Sequence, residues 1–154
     1  MAAVSELETF LRLNRECEEQ LWPATESELA ALLRMAYHAE TTGDGLAMLI
    51  AFDERAPYES PNYLWFKERY ARFAYVDRVA VSERARGRGY ARRLYENLIE
   101  KARADGHTML CAELYSDPPN RASEAFHRAM GFHEAARVFV PERGKEISCV
   151  VREI

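Results

Sequence analysis

Cysteine and histidine are scarce in this sequence, and no apolar run is long enough to cross a lipid bilayer. The three cysteines, Cys17, Cys111 and Cys149, are odd in number and widely spaced, which argues against a disulfide framework and predicts a cytoplasmic protein. The four histidines are scattered along the chain, so the sequence predicts no metal site. A secretory signal pattern is also missing, and we expect no membrane partner.

The length and composition are those of one globular domain. The chain has 154 residues, of which 48% are hydrophobic and 30% are charged, and we expect a single domain over residues 1–154. The net charge is −4, yet five arginines lie between Arg84 and Arg93. Positive charge this local predicts an anion-binding site and not a nucleic-acid-binding face, so we expect no nucleic-acid partner.

The arginine cluster lies between a strand pattern and a helix pattern. An apolar run ends at Val81, an arginine- and glycine-rich turn follows, and an amphipathic helix begins near Gly89. Glycines allow backbone N–H groups to converge on a ligand, and a helix N-terminus adds partial positive charge. This arrangement predicts a loop that binds a phosphate or pyrophosphate.

Two common phosphate-binding motifs do not fit this loop. A Walker motif needs Lys followed by Ser or Thr at the start of the helix, and a dinucleotide-binding fingerprint needs a small residue three positions after Gly89. The pattern Arg86-x-x-Gly89-x-Ala91 does fit, and Arg84-x-x-Gly87-x-Gly89 fits in a shifted register. A disordered RNA-binding segment is a weaker alternative, because this repeat is short and flanked by regular patterns.

A second motif begins at Asn120 and runs to Phe132. Asn120 is suited to cap a helix whose start is limited by the preceding prolines, and Gly131 suits a left-handed C-terminal cap. Helical spacing predicts one apolar face made of Ala122, Ala125, Phe126 and Ala129. An ordinary capped helix would explain this segment alone, but it follows the first motif with one strand between them.

The two motifs together resemble those of the GCN5-related N-acetyltransferases (GNAT), from about Leu46 to the C-terminus. The resemblance implies an α+β fold, the acyl-CoA N-acyltransferase fold, in which a mostly antiparallel central sheet is flanked by helices. It also implies acetyl-CoA as the cofactor and direct transfer of its acetyl group to a primary amine. Only Met1–Val4 precede the first helix pattern, so the family's first strand is expected to be truncated or absent. A homodimer is expected from the family alone.

Periodicity and capping patterns predict a compatible order of elements. Capping boxes predict helices from Glu6 to about Gln20 and from Thr25 onward. Further helices are predicted over 89–103 and 120–130, and strands over 34–41, 46–52, 73–81, 108–115, 132–140 and 145–152. Alternation places one set of side chains of the 73–81 strand on a single face: Phe73, Tyr75, Asp77, Val79 and Val81.

The resemblance assigns the cofactor to a gap between the parallel strands 73–81 and 108–115, which splay apart. Backbone groups of Val79, Ala80 and Val81 would pair with the pantetheine arm, and an N–H near Val79 would stabilise the oxyanion. The pyrophosphate would be bound by Arg86, Gly87, Arg88, Gly89, Tyr90, Ala91 and Arg92. The second motif contributes Asn120, Ser123 and Phe126 to the cofactor site.

Acetyl transfer to an amine needs a base, because an alkyl amine with a pKa near 10 is almost fully protonated at pH 7. Asp77 is the predicted base, since alternation places it on the cofactor face, and Glu113 is the second candidate. For each carboxylate the alternative is a solvated group, or an ion pair with an arginine such as Arg78.

The leaving thiolate needs a proton. His127 stands where many members of the family have a tyrosine, and it is the predicted acid, with Tyr115 as the second candidate. Cys111 is an alternative covalent carrier of the acetyl group, although a strand cysteine is more often inert core.

The acceptor is less well specified. The long connection over 53–72 is rich in aromatic residues, which predict either an acceptor-binding lid or a satellite apolar cluster. The candidate substrate-binding residues are Tyr63, Trp65, Phe66 and Glu113. The expected partner is a small-molecule or peptide amine. The alternative function on the same fold is a non-catalytic regulator that binds coenzyme A.

Overall fold

The computed structural model describes residues 4–18, 21–116 and 119–154. Within these residues the chain forms five α-helices and six β-strands. The helices are α1 (Val4–Glu16), α2 (Glu26–Met35), α3 (Pro61–Lys67), α4 (Tyr90–Ala104) and α5 (Arg121–Ala129). The strands are β1 (His38–Thr41), β2 (Ala47–Asp53), β3 (Ala74–Val81), β4 (Met109–Tyr115), β5 (His133–Val140) and β6 (Lys145–Glu153). No helix in the described ranges has the length and hydropathy needed to span a membrane.

All six strands form one sheet in the order β1-β2-β3-β4-β6-β5, and only the β3–β4 pair is parallel. Helices α1, α2 and α3 pack on one face, and α4 and α5 pack on the other. Each face carries its own apolar core, because the strands alternate their side chains between the two. The predicted mixed, mostly antiparallel sheet flanked by helices is confirmed.

Strands β3 and β4 form a wedge. They pair only where Ala74 meets Leu110 and Tyr75 meets Cys111. Beyond these residues each strand is still paired on its outer edge, with β2 or β6, but the two inner edges no longer pair with each other. The predicted splay is confirmed, and it leaves backbone groups of both strands facing a gap.

A register shift in β3 overturns the predicted single face of that strand. Ile50 and Ala51 of β2 pair with Arg78 and Val76, so Asp77 is an extra residue in the ladder. Such a bulge reverses the alternation beyond it. Consequently Phe73 and Tyr75 belong to the core beneath α1–α3, whereas Val79 and Val81 pack against the core beneath α4 and α5.

Most element boundaries agree with the sequence to within a few residues. Thr25 caps α2 with the predicted capping box, and Asn120 caps α5. Helix α1 ends at Glu16, earlier than predicted, and Gln20 lies outside the described residues. The predicted remnant of a first strand falls on residues 1–4, of which 1–3 are outside the described part and Val4 already belongs to α1.

The predicted inward face of α5 is wrong for its three alanines and right for Phe126, which packs against the core. Ala122, Ala125 and Ala129 are exposed, while His127 and Met130 are buried. An alanine methyl group buries little apolar area, so larger side chains decide which way the helix turns. The ring of Tyr95 on α4 packs against Phe126 and His127 of α5. The exposed alanines lie on the other side of α5.

Candidate functional site

The loop after β3 presents backbone N–H groups at the start of α4. Gly87 and Gly89 have φ angles of 79° and 81°, a conformation that favours glycine. A Cβ at either position would meet nothing within 4 Å, so the space beside both is open. The first bond of α4 runs from Arg93 N to Gly89 O, which leaves the first three N–H groups of the helix without an intrahelical acceptor. This loop has the geometry of a diphosphate site.

The predicted loop residues surround this cradle. Arg86, Arg88 and Arg92 are exposed; Arg86 Nε also donates to Val81 O at 3.4 Å, and Arg92 pairs with Glu96. The hydroxyl of Tyr90 donates to an Asp44 carboxylate oxygen at 2.6 Å, which fastens the start of α4 to the β1–β2 turn. The charge around the cradle is therefore positive, and its backbone is anchored.

The second motif lies at the same edge of the sheet as the loop. Helix α5 follows β4 as α4 follows β3, and the carboxyl ends of two parallel strands meet at one edge. Asn120 Oδ1 accepts the N–H of Ser123 at 3.1 Å, so the amide of Asn120 is fixed at the helix start. Phe126 is half-buried, with its ring centroid 5.3 Å from that of Tyr95.

His127, the predicted acid, is buried with both ring nitrogens occupied. Nδ1 lies 2.8 Å from the carbonyl of Ser123, which only accepts, so Nδ1 carries the proton. Nε2 then accepts from the hydroxyl of Tyr95 at 2.7 Å. Burial lowers the pKa of His127. In this arrangement the imidazole is neutral and has no proton directed at the wedge, so the geometry gives it a packing role.

Asp77, the predicted base, forms an ion pair with Arg78, which was the alternative prediction for this carboxylate. Arg78 Nε donates to Asp77 Oδ2 at 2.8 Å, and the Tyr58 hydroxyl donates to Oδ1 at 3.0 Å. Arg78 is itself held by Asn14 Oδ1 at 2.8 Å and by Trp22 O at 3.2 Å. Both carboxylate oxygens of Asp77 therefore accept hydrogen bonds in a network that joins β3 to α1.

Glu113 occupies a different environment, on the part of β4 that no longer pairs with β3. Asn62 Nδ2 donates to its Oε1 at 3.1 Å, while its Oε2 is buried without a partner among the described residues. Burial raises the pKa of Glu113 to about 8. A carboxyl group with this pKa exchanges protons near neutral pH, as a general base must.

Unpartnered buried polar atoms gather around Glu113. Four are found here within the described ranges: Asn62 Oδ1, Tyr75 Oη, Glu113 Oε2 and Arg143 Nε. Buried polar atoms are usually hydrogen-bonded, and those left over mark places where a ligand or water binds. We call this group the Glu113 cluster.

The turn between β5 and β6 closes one side of the Glu113 cluster. The Arg143 guanidinium lies 4.3 Å from the ring centroid of Trp22, and its Nη2 donates to Ser60 Oγ at 3.2 Å. Tyr115 lies at the end of β4, with Lys145 Nζ 5.0 Å from its ring centroid. Carboxylates, aromatic rings and two cations thus lie together on the α1–α3 face of the wedge.

The aromatic segment forms core and not an exposed lid. Tyr63 and Phe66 are both 0% exposed and pack from α3 into the core, while Trp65 is partly exposed with Arg69 over its ring at 4.2 Å. Seven residues of the segment form α3, which begins with Pro61 after Ser60. Cys111 is also fully buried, and burial raises the pKa of its thiol, which disfavours the nucleophilic thiolate.

Sequence reasoning missed three residues of the Glu113 cluster: Asn62, Tyr75 and Arg143. A signal for the first was present, because Ser-Pro at 60–61 is a helix-start pattern, and a helix there brings Asn62 to the sheet. No local pattern points to Arg143, which reaches the site from a turn 30 residues away from Glu113 in sequence.

Comparisons with known proteins agree with this geometry. The sequence model described as the Acetyltransferase (GNAT) family matches residues 7–132. Over 127 residues the chain is 32% identical to aminoglycoside N(6')-acetyltransferase type 1 of Serratia marcescens, a match that covers 77% of this chain and 82% of the relative.

Solved structures show the same fold. The ribosomal-protein-S18-alanine N-acetyltransferase of Escherichia coli superposes with a TM-score of 0.71 at 18% identity, over 99% of this chain and 90% of that one. Arabidopsis thaliana NAA60, solved in complex with acetyl-CoA, gives a TM-score of 0.69 at 14% identity, over 98% and 94% of the two chains.

Proposed function

Since the chain belongs to the GNAT family of acetyltransferases and transfers the acetyl group of acetyl-CoA to a primary amine, we propose that Glu113 is its base and that its acceptor is a small polycationic amine. The observation that carries the proposal is the buried, half-satisfied carboxyl of Glu113 beside the β3–β4 wedge. The cofactor supplies an activated acetyl thioester, and the residues below bind, orient and move protons.

The chain's own backbone fits the cofactor. We propose that the N–H groups from Gly87 to Arg92 hold the diphosphate, with Arg86 and Arg88 adding charge. The unpaired inner edge of β3 at Val79–Val81 would bind the pantetheine arm as an added strand does. Asn120, Ser123 and Phe126 would line the other side of the arm, at the start of α5.

Glu113 replaces Asp77 as the preferred base because its carboxylate accepts fewer hydrogen bonds. Asp77 holds a buried arginine in place, and both of its carboxylate oxygens already accept hydrogen bonds. Glu113 has one oxygen without a hydrogen bond of normal geometry, toward which only the Tyr75 hydroxyl contributes, and burial raises its pKa, so it would take a proton from an incoming ammonium at a low energetic cost. Asp77 would then attract the cationic acceptor without accepting its proton.

Tyr115 replaces His127 as the proposed acid. It lies on the same strand and face as Glu113, at the carboxyl end of β4, whereas His127 donates its proton to a backbone carbonyl on the other face. Burial raises the pKa of Tyr115, so its hydroxyl stays protonated at neutral pH and would be a proton donor to the thiolate.

The proposed acceptor side offers two carboxylates and several aromatic rings to an ammonium group. Asp77 and Glu113 face it, with Tyr58, Tyr115 and the half-exposed Trp22 around them. The 32%-identical relative is named for an aminoglycoside, an amino sugar with several ammonium groups, and such a molecule fits acidic and aromatic surroundings.

A thiol-release assay with parallel acceptors tests this proposal. The acceptors are an aminoglycoside, a peptide with a free N-terminal alanine and an alkyl monoamine, each titrated at saturating acetyl-CoA. We expect kcat/KM for the aminoglycoside to exceed that for the peptide at least tenfold. A preference for the peptide would refute the acceptor class, and coenzyme A binding without turnover on any amine would favour the non-catalytic regulator.

Two expectations remain as proposals. A cytoplasmic location is supported by three cysteines that are all unpaired and buried, as in a reducing compartment, and fractionation of cells tests it. A homodimer is supported by the family resemblance, and sedimentation velocity at several protein concentrations tests it.

A further inference from the structure

A second place with unpartnered buried atoms lies at the closed end of the wedge, where β3 and β4 pair. The side chain of His107, just before β4, is 4% exposed, and neither ring nitrogen has a hydrogen-bond partner among the described residues. The Tyr37 ring packs against the imidazole with centroids 5.0 Å apart. A buried imidazole in this state calls for a ligand, because buried polar groups are otherwise satisfied.

Two carboxylates face the His107 ring. Asp53 ends β2, Glu54 follows it in the turn, and ligand atoms of these two residues and His107 all lie within 4.8 Å of one another. His107 Nε2 is 3.3 Å from Glu54 Oε1 but lacks hydrogen-bond geometry toward it. Ligand atoms of a tetrahedral zinc ion, with bonds of about 2.0–2.2 Å, are separated by roughly this distance, about 3.3 Å.

We propose that Asp53, Glu54 and His107 bind a divalent transition-metal ion of the zinc class. One imidazole nitrogen with two carboxylate oxygens is a donor set that suits this ion, with water completing the coordination. The scattered histidines predicted no metal site, but folding brings residue 107 beside the end of β2. The site is distinct from the acetyl-transfer cleft, because the phosphate loop lies at the opposite ends of β3 and β4.

Neighbouring groups orient this donor set. The backbone N–H of Phe73 donates to Glu54 Oε1 at 3.1 Å, and that of Arg55 donates to Asp53 Oδ1 at 3.0 Å. In metal sites, hydrogen bonds of this kind hold the metal-binding side chains in the orientation that coordination requires. A bound ion would join the end of β2 to the segment before β4, and would thereby stabilise the closed end of the wedge.

Metal titration of the chelator-treated full-length protein tests the site. Thermal unfolding is followed with added Zn²⁺ or Co²⁺, and the visible absorption of bound Co²⁺ reports its ligands. The variants are His107→Gln and Glu54→Gln, with Asp53→Asn as a reserve should either fail to fold. His38→Gln is the matched control, because His38 Nε2 lies 3.1 Å from Glu40 in a comparable but more exposed pair.

We expect Zn²⁺ and Co²⁺ to raise the melting temperature of the wild-type protein and of His38→Gln equally. The two site variants should bind Zn²⁺ at least tenfold more weakly and lose the Co²⁺ absorption. An unchanged wild-type melting temperature would overturn the proposal and leave only a His107–Glu54 contact in its place. An equal metal response in His107→Gln, or a thiolate charge-transfer band with Co²⁺, would overturn it by showing that the metal binds elsewhere.

Discussion

Glu113 is the residue whose substitution reports most directly on the chemistry. Glu113→Gln keeps the shape and the contact with Asn62 but removes the proton acceptor. We expect kcat to fall by about 10²–10⁴-fold, the usual contribution of a general base. In the wild-type enzyme kcat should rise with pH to a midpoint near 8, where the Glu113 carboxyl ionises, and this midpoint should be lost in the variant.

Asp77→Asn is the control for Glu113→Gln, because it makes the same carboxylate-to-amide change on the neighbouring strand. It weakens the pairing of Arg78, so some loss of stability is expected. The pH-dependent rise in kcat should persist, but with a lower midpoint, because the negative charge of Asp77 helps to raise the pKa of Glu113. Thermal shifts with coenzyme A establish that both variants fold. If Asp77→Asn abolishes the pH-dependent rise and Glu113→Gln keeps it, the roles of the two carboxylates are the reverse of those proposed.

His127→Phe should change stability more than catalysis. The substitution leaves the buried hydroxyl of Tyr95 without its acceptor, which costs about 1–3 kcal/mol of the free energy of unfolding. Because the pKa of His127 is lowered below 6.5 in the folded state, the unfolded chain binds the extra proton and the wild-type protein loses stability as pH falls below 6.5. The variant lacks that loss, so the difference should shrink in acid.

Chemical denaturation at pH 7.5 and pH 5 measures this difference. A fall in kcat of a hundredfold or more at full folding, with the rate restored by His127→Tyr, would instead return the role of acid to position 127. Tyr115→Phe, assayed beside it, should reduce kcat with little effect on unfolding.

Sequence reasoning found both carboxylates but not what surrounds Glu113, for a physical reason. Asp77 and Glu113 differ only in what folding places around them: an arginine from the next position in one case, and an amide from α3 in the other. The Arg78 partner is local and could be named from the sequence, but the burial and the distant partner that raise the pKa of Glu113 could not. The loop glycines and the cap at Asn120 were predictable, because their signals lie within a few residues.

Among the elements, the phosphate loop allows a matched pair of glycine substitutions. Gly89→Ala and Gly144→Ala both place a Cβ at positive φ with nothing within 4 Å. Each should cost roughly 1 kcal/mol of stability. Only Gly89→Ala distorts the cradle at the start of α4, so it alone should weaken coenzyme A binding, by about tenfold in a calorimetric titration. Equal affinities in the two variants would argue that the diphosphate binds elsewhere.

The β5–β6 turn influences the pKa of Glu113 through the charge of Arg143. The positive charge of Arg143 favours ionised Glu113 and holds its pKa below what burial alone would set. Arg143→Gln should therefore move the pH midpoint of kcat upward. Lys145→Gln removes the same charge from the same hairpin, but its ammonium lies over Tyr115, so it should leave the midpoint unchanged. Identical pH profiles in Arg143→Gln and the wild type would show that the turn does not influence Glu113.

The elements themselves were largely predictable, and the exceptions share one cause. Caps and hydrophobic periodicity are local, and they gave the strands and four of the five helices to within a few residues, apart from the end of α1. Helix α3 was hidden in an aromatic segment, and the bulge at Asp77 reversed the faces of β3. Both depend on packing against the sheet, and so does the buried side of α5. Packing between distant segments also assembled the Glu113 cluster, from α3, β3, β4 and the β5–β6 turn.

For the whole molecule, the raised pKa of Glu113 makes stability fall with increasing pH. The folded protein keeps a proton on Glu113 between pH 4.5 and about 8, whereas the unfolded chain has lost it. Over this window the free energy of unfolding should therefore decrease by as much as about 1.4 kcal/mol per pH unit from this group. Glu113→Gln is neutral in both states, so the variant should be more stable than the wild type at pH 8 and lack this slope.

Urea denaturation of both proteins from pH 5 to pH 9 measures the difference. A mutant that gains stability while losing activity would show that the enzyme tolerates a strained, buried carboxyl in its cleft because catalysis requires one. Parallel stability curves would mean that Glu113 is already ionised in the folded state, and would remove the main support for its role as base. Saturating coenzyme A during the measurement raises both curves without changing their difference, unless the ligand itself contacts the carboxyl.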